Sequence, residues 1–125
     1  MRRFLIFFKR LLTINEIKQR VDEWINEYGV RYFDIRTNTL LLMEEMGEFS
    51  RLVARIYGEQ SFKKNEEPSQ NLKALEDEWA DIFFVMICIA NQTGINIESA
   101  IEKNILKKTS RDSNRHLTND KLTSE

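Results

Sequence analysis

Nine consecutive apolar residues, Ile82-Phe83-Phe84-Val85-Met86-Ile87-Cys88-Ile89-Ala90, constrain the fold of this chain more than any other feature. They sit in a stretch, 71–93, that holds no glycine or proline. The whole chain has four glycines and one proline. A β-sandwich or barrel needs many more turn residues than that. The run therefore reads as the second half of a long helix. A helix apolar on every side is buried on every side. A chain of 125 residues makes one domain with one core. Such a protomer cannot easily wrap this helix alone, so an oligomer is expected. Nine residues fall short of the ~20 needed to span a bilayer. The expected class is all-α, a four-helix bundle-like protomer assembling as an oligomer, with no stable membrane association.

Charge and cysteine usage exclude several functions. Lys plus Arg (19) and Asp plus Glu (20) nearly cancel. A general binder of nucleic acid polymers carries a basic excess instead. One cysteine, Cys88, excludes an intramolecular disulfide and fits a reducing compartment. One histidine, His116, excludes a multi-histidine metal site within the chain. The opening MRRFLIFFKRLL has only five apolar residues in a row before Lys9. A signal h-region needs about 7–15 and a small-residue cleavage site. The expected location is cytoplasmic.

Hydrophobic periodicity and caps place the remaining elements. Thr13 and Glu16 fit a capping box, and Ile14, Ile17, Val21, Trp24 and Ile25 follow at helical spacing. This first helix is expected over 14–28, with Gly29 left-handed at its end. The second is expected over 35–57 and the third over 71–93, stopped by Gly94. The polar segment 58–70 reads as a loop. Asn96 is a candidate cap for a fourth helix over 97–110. The division is an N-terminal extension (1–12), a helical domain (13–111) and a polar, disordered tail (112–125).

Four carboxylates stand where apolar residues belong. Each residue turns a helix by about 100°. With Leu42 at zero, the apolar stripe of the second helix covers roughly 260° through zero to 40°. Glu45 falls at about 300°, inside it, and Glu48 at about 240°, at its edge. Glu44, at about 200°, is on the polar side. In the third helix Glu78 and Asp81 share one face, which Val85, Cys88 and Ile89 continue. Charged residues are rarely buried, and clustered carboxylates repel one another. No Lys or Arg occupies the inward stripe of the second helix or the apolar half of the third. A hard divalent ion, Mg²⁺ or Mn²⁺, is the economical partner for an all-oxygen donor set. Gly47, inside the helix, reads as permitting close approach of a helix or ligand.

Glu44-Glu45-Met46-Gly47-Glu48, followed by Glu78-Trp79-Ala80-Asp81, resembles the EExxE and ExxD motifs of the MazG-like nucleoside triphosphate pyrophosphohydrolases. The resemblance covers about 14–111. It implies an all-α, Mg²⁺-dependent enzyme, with Mn²⁺ able to substitute. That enzyme cleaves (deoxy)nucleoside triphosphates to monophosphate and pyrophosphate, with nucleotide-pool cleaning as its role. It implies metal ligation by Glu45, Glu48, Glu78 and Asp81, and water activation by Glu44 or Glu45. Phosphate contacts carry over onto Lys103, Asn104, Lys107 and Arg111, with Lys63 a further candidate. Tyr32 and Phe33 are candidates for stacking on the base. The family implies a homodimer or homotetramer. Alternatives are a phosphoribosyl-ATP-type pyrophosphohydrolase and a non-catalytic helical interaction module.

Overall fold

A computed structural model describes residues 11–66 and 71–124. Most of the N-terminal extension and the end of the loop, 67–70, lie outside the described residues. Among the described residues five helices follow in order: α1 (Ile14–Glu27), α2 (Ile35–Ile56), α3 (Asn71–Thr93), α4 (Ile97–Leu117) and α5 (Asp120–Thr123). No strand occurs among the described residues. The all-α expectation holds. The chain divides into two compact units, Met1–Gln92 and Thr93–Glu125.

In the first unit α3 is the axis. Its Val85, Ile87, Cys88 and Ala90 form most of the core, with Val21 of α1 and Leu52 of α2. Successive contacts show that α2 runs antiparallel to it. Asn38 meets Gln92, Glu45 meets Glu78 and Asp81, and Phe49 lines a hollow with Leu72 and Leu75. On the other flank, Asn91 donates to the Lys18 carbonyl, and Trp24 packs edge-on against Phe84 at 5.6 Å. So α1 also runs antiparallel to α3.

Caps explain the helix starts. Thr13 Oγ1 accepts from the Glu16 N–H and donates to the Glu16 carboxylate. Asp34 starts α2 by accepting from the Arg36 N–H, a cap not predicted from the sequence. Asn96 accepts from the Ser99 N–H, as expected. At the end of α3, Gly94 is left-handed, with φ 74°. At the end of α1 the left-handed residue is Val30, with φ 69°, not Gly29. At Gly29 a Cβ would stand 3.0 Å from the Ile25 carbonyl oxygen, a tight contact that glycine avoids. At Gly47 a Cβ would meet nothing within 4 Å inside the protomer.

In the second unit, α4 continues to Leu117, past the point where a disordered tail was expected. No apolar period sustains it there. Polar contacts do. Asp112 accepts two hydrogen bonds from Arg111, each of 3.0 Å, and pairs with Arg115 one turn on. Arg115 and His116 in the last turn complement the helix dipole. Asn119 then caps the short α5.

Candidate active site

Antiparallel packing of α2 on α3 brings Glu45 opposite the Glu78/Asp81 pair. One carboxylate oxygen from each of the three lies within 4.8 Å of the other two. Glu45 and Glu78 are half-buried, and Asp81 is exposed. The cost of this arrangement shows in the ionisation of both glutamates. Burial raises the pKa of Glu45, and the negative charges of Asp81, Glu78, Glu44 and Glu48 raise it further. Burial also raises Glu78, followed by the charges of Glu48 and Asp81. Three carboxylates held this close without a cation are under mutual repulsion. An all-oxygen set on two rigid helices, partly desolvated and charge-crowded, fits a hard divalent cation.

Glu48, the fourth expected ligand, is exposed and stands outside the close triad. It is still near enough to raise the Glu78 pKa. Glu44 is exposed beside Glu45. Arg51, outside the inward stripe, adds a cation to this region. It lies close enough to lower the Glu78 pKa, opposing the carboxylates, and its guanidinium pairs with Glu66 at 3.4 Å. At roughly 180° on the helical wheel it is opposite the apolar stripe. Only the reach of its long side chain brings its charge to bear.

Next to the triad is a cavity of about 210 Å³, lined by Trp24, Ile25, Phe33, Asn38, Leu41, Phe84 and Cys88 among others. Leu41 precedes Glu45 by four residues, and Val85 of the lining follows Asp81 by four. The cavity therefore begins one helical turn, about 6 Å, from the carboxylates along both helices. Phe33 lines it, as a base-stacking candidate should. Tyr32 is occupied elsewhere: its hydroxyl donates to Asp22 at 2.7 Å and accepts from Asn91 at 3.1 Å. Burial and the Asp22 carboxylate push its pKa up to about 12. Tyr32 braces α1 against α3. Burial also pushes the Cys88 thiol up to about 11, so it is a neutral wall of the cavity.

Asn38 was not among the sequence candidates for this cavity. Asn38 carried a readable signal. It falls at about 320° on the α2 wheel, as deep in the apolar stripe as Glu45. Lys63 is exposed in the connection between α2 and α3. Lys103, Asn104 and Lys107 lie on α4, in the second unit, and are exposed. Arg111 is exposed there too, but its guanidinium is engaged by Asp112. No single helix among the described residues is long and apolar enough to cross a membrane.

Known proteins resemble this chain in sequence and in fold. Residues 33–116 match the model of the MazG nucleotide pyrophosphohydrolase domain. The YpjD protein of Bacillus subtilis (strain 168) is 34% identical over 103 residues, which is 82% of this chain and 89% of that protein. Its crystal structure superposes with a TM-score of 0.68 at 33% identity, covering 78% of this chain and 96% of the other. A Bacillus-conserved MazG protein, a nucleotide pyrophosphohydrolase, superposes with a TM-score of 0.67 at 31% identity, covering 84% and 98%. The matched span contains both carboxylate motifs and the helices that carry them, and the chain belongs to the MazG nucleotide pyrophosphohydrolase family.

Proposed function

We propose that this protein hydrolyses (deoxy)nucleoside triphosphates to the monophosphate and pyrophosphate, with Mg²⁺ as its metal and Mn²⁺ a substitute. The observation that carries the proposal is the convergence of Glu45, Glu78 and Asp81 within 4.8 Å on facing helices. Those three would hold the ion, which when bound polarises phosphoryl oxygens and acidifies a bound water. The remaining work falls to the chain's own groups. Glu44 or Glu45 takes the proton of the attacking water. Glu48, at the exposed edge of the cluster, adds negative charge that favours cation binding. Lys103, Asn104, Lys107 and Arg111 carry the triphosphate contacts in this reading, on the strength of the sequence resemblance.

Two further parts of the proposal concern setting. Met43, Met46, Trp79 and Met86 expose 43–68% of their surface on α2 and α3. Apolar exposure of this extent on the two central helices supports a homodimer or homotetramer. A single, buried cysteine is in keeping with a reducing, cytoplasmic setting, and a role in cleaning the nucleotide pool rests on the sequence resemblance alone.

Site variants test the reading. Glu45→Gln, Glu78→Gln and Asp81→Asn should each lower triphosphate turnover at least 100-fold, while the helical circular dichroism is kept. Full activity in any two of them would overturn the assignment of the metal site.

A further inference from the structure

Two buried atoms of opposite character lie unpaired near the end of α2. Arg55 Nε and one carboxylate oxygen of Glu66, Oε2, are buried and make no hydrogen bond among the described residues. Both side chains touch the same neighbour, Arg51. The Arg55 guanidinium donates through Nη1 to the Arg51 backbone carbonyl at 3.1 Å and to Gln60 Oε1 at 3.4 Å. The other oxygen of Glu66, Oε1, accepts from Arg51 Nη1 at 3.4 Å. That is longer than the ~2.7–2.9 Å of a well-formed charge-assisted bond. A buried polar atom without a partner is costly, and more so when its group is charged. Here the two orphans are complementary, a guanidinium N–H and a carboxylate oxygen. One movement of Glu66 from Arg51 to Arg55 would satisfy both and release the Arg51 guanidinium.

The position of Arg51 narrows what a released guanidinium meets. It stands one helical turn beyond Glu48, and its charge already acts on Glu78 of the triad. Its side chain is 41% exposed, so an anion reaches it from solvent. Guanidinium pairs with phosphate oxygens through two parallel hydrogen bonds, and a phosphate matches that fork better than the single long contact from Glu66 does. We propose that Arg51 is a seat for a diphosphate group, either the β,γ end of the nucleotide or the released pyrophosphate. Glu66 is its internal place-holder: it leaves Arg51 for Arg55 when the group arrives and returns when the group departs. Glu66 is thus a positioning residue, acting through Arg51, and its return helps to expel the bound anion. The inference rests on the pyrophosphohydrolase reading for its ligand.

Inorganic pyrophosphate is the probe, added to the full chain with Mg²⁺ and followed by calorimetry. Arg51→Gln should weaken its binding about 10- to 100-fold, the effect of losing a hydrogen bond to a charged group. Glu66→Ala should tighten it about 2- to 5-fold, the effect of removing a half-exposed competing ion pair. Adding Glu66→Ala to Arg51→Gln should change nothing further, a non-additivity that a merely structural pin would not produce. In ¹⁵N-labelled protein the Arg55 Nε–H resonance should shift with pyrophosphate in the wild type and stay in place in Glu66→Ala. If either variant does not fold, Arg51→Lys and Glu66→Gln carry the test. A triphosphate KM that moves in step with the pyrophosphate Kd assigns the seat to the substrate as well; a KM that stays assigns it to the product. Absent pyrophosphate binding, an unchanged Kd in Arg51→Gln, or a Glu66→Ala effect that survives without Arg51 would each overturn the inference. The expected pattern in a protein that hydrolyses no triphosphate would instead overturn the enzyme reading and leave the seat standing.

Discussion

Replacing Glu45 with glutamine should make the metal-free protein more stable and remove its response to Mg²⁺. The substitution keeps volume and shape and deletes one charge. In the native fold that charge has two carboxylates, Glu78 and Asp81, with oxygens within 4.8 Å. At that distance a like-charge pair costs about 0.9 kcal/mol in a water-like medium and about 3.5 kcal/mol at an effective dielectric constant of 20. Asp81 is exposed and Glu78 half-buried, so the lower part of that range applies to one pair and the middle to the other. A net gain of about 1–3 kcal/mol follows, or roughly 3–10 °C in melting temperature for a chain of this size. The assay is a thermal melt at pH 7 with EDTA or with excess Mg²⁺. In the wild type, Mg²⁺ at 100 times its Kd should add about 2.7 kcal/mol by mass action. The variant should lose most of that increment. The pH dependence has a definite sign. The folded-state pKa of Glu45 is raised, so its destabilising charge is present above that pKa and vanishes as the carboxyl protonates. The gap between wild type and variant in EDTA should therefore close as pH falls. An EDTA melt in which Glu45→Gln is less stable than the wild type would refute the argument, because it would mean that the glutamate is held by favourable contacts.

Three other outcomes follow from local geometry. Val30→Gly should stabilise the protein by about 0.5–2 kcal/mol in a denaturant melt, since a β-branched residue at φ 69° costs about 1–3 kcal/mol and a new glycine returns about 0.5–1 kcal/mol of that. Val30 is 86% exposed, so little packing is lost; a destabilised variant would contradict the strain. Gly47→Ala should add up to about 1 kcal/mol of helix propensity, because its Cβ enters open space; a loss of activity or oligomerisation would show that something outside the protomer packs there. Tyr32→Phe should cost about 1–2 kcal/mol at neutral pH through two lost hydrogen bonds. The wild-type phenol keeps its proton up to about pH 12 when folded, against 10.0 ordinarily. Stability should therefore fall as pH rises through that window in the wild type, and the Phe variant should lack this contribution.

The site was legible wherever a polar side chain broke an apolar stripe. Glu45 gave itself away in this manner, and Asn38 did so with equal clarity at nearly the same angle, although charge draws attention that an amide does not. Pairing the two carboxylate motifs across helices required only the i, i+3 spacing and the antiparallel packing that a polar connection permits. Arg51 was not legible, because a wheel places Cα atoms and says nothing about where a long side chain delivers its charge. The extension of α4 was missed for a related reason. Its last turns rest on Asp112 bonded to Arg111 and Arg115, and such contacts leave no apolar period to read. Val30 was hidden by Gly29: the glycine marks a close approach to Ile25, while the next residue takes the left-handed turn.

Product analysis of one reaction tests the central claim most directly. The purified wild-type chain is incubated with each standard deoxynucleoside triphosphate and Mg²⁺, and monophosphate, diphosphate, pyrophosphate and orthophosphate are resolved by chromatography. The triad on α2 and α3 predicts equal amounts of monophosphate and pyrophosphate from at least one substrate, and none in EDTA. Diphosphate with orthophosphate would place the cleavage at the terminal phosphate and contradict the proposed reaction, and equal turnover in EDTA would contradict the metal centre.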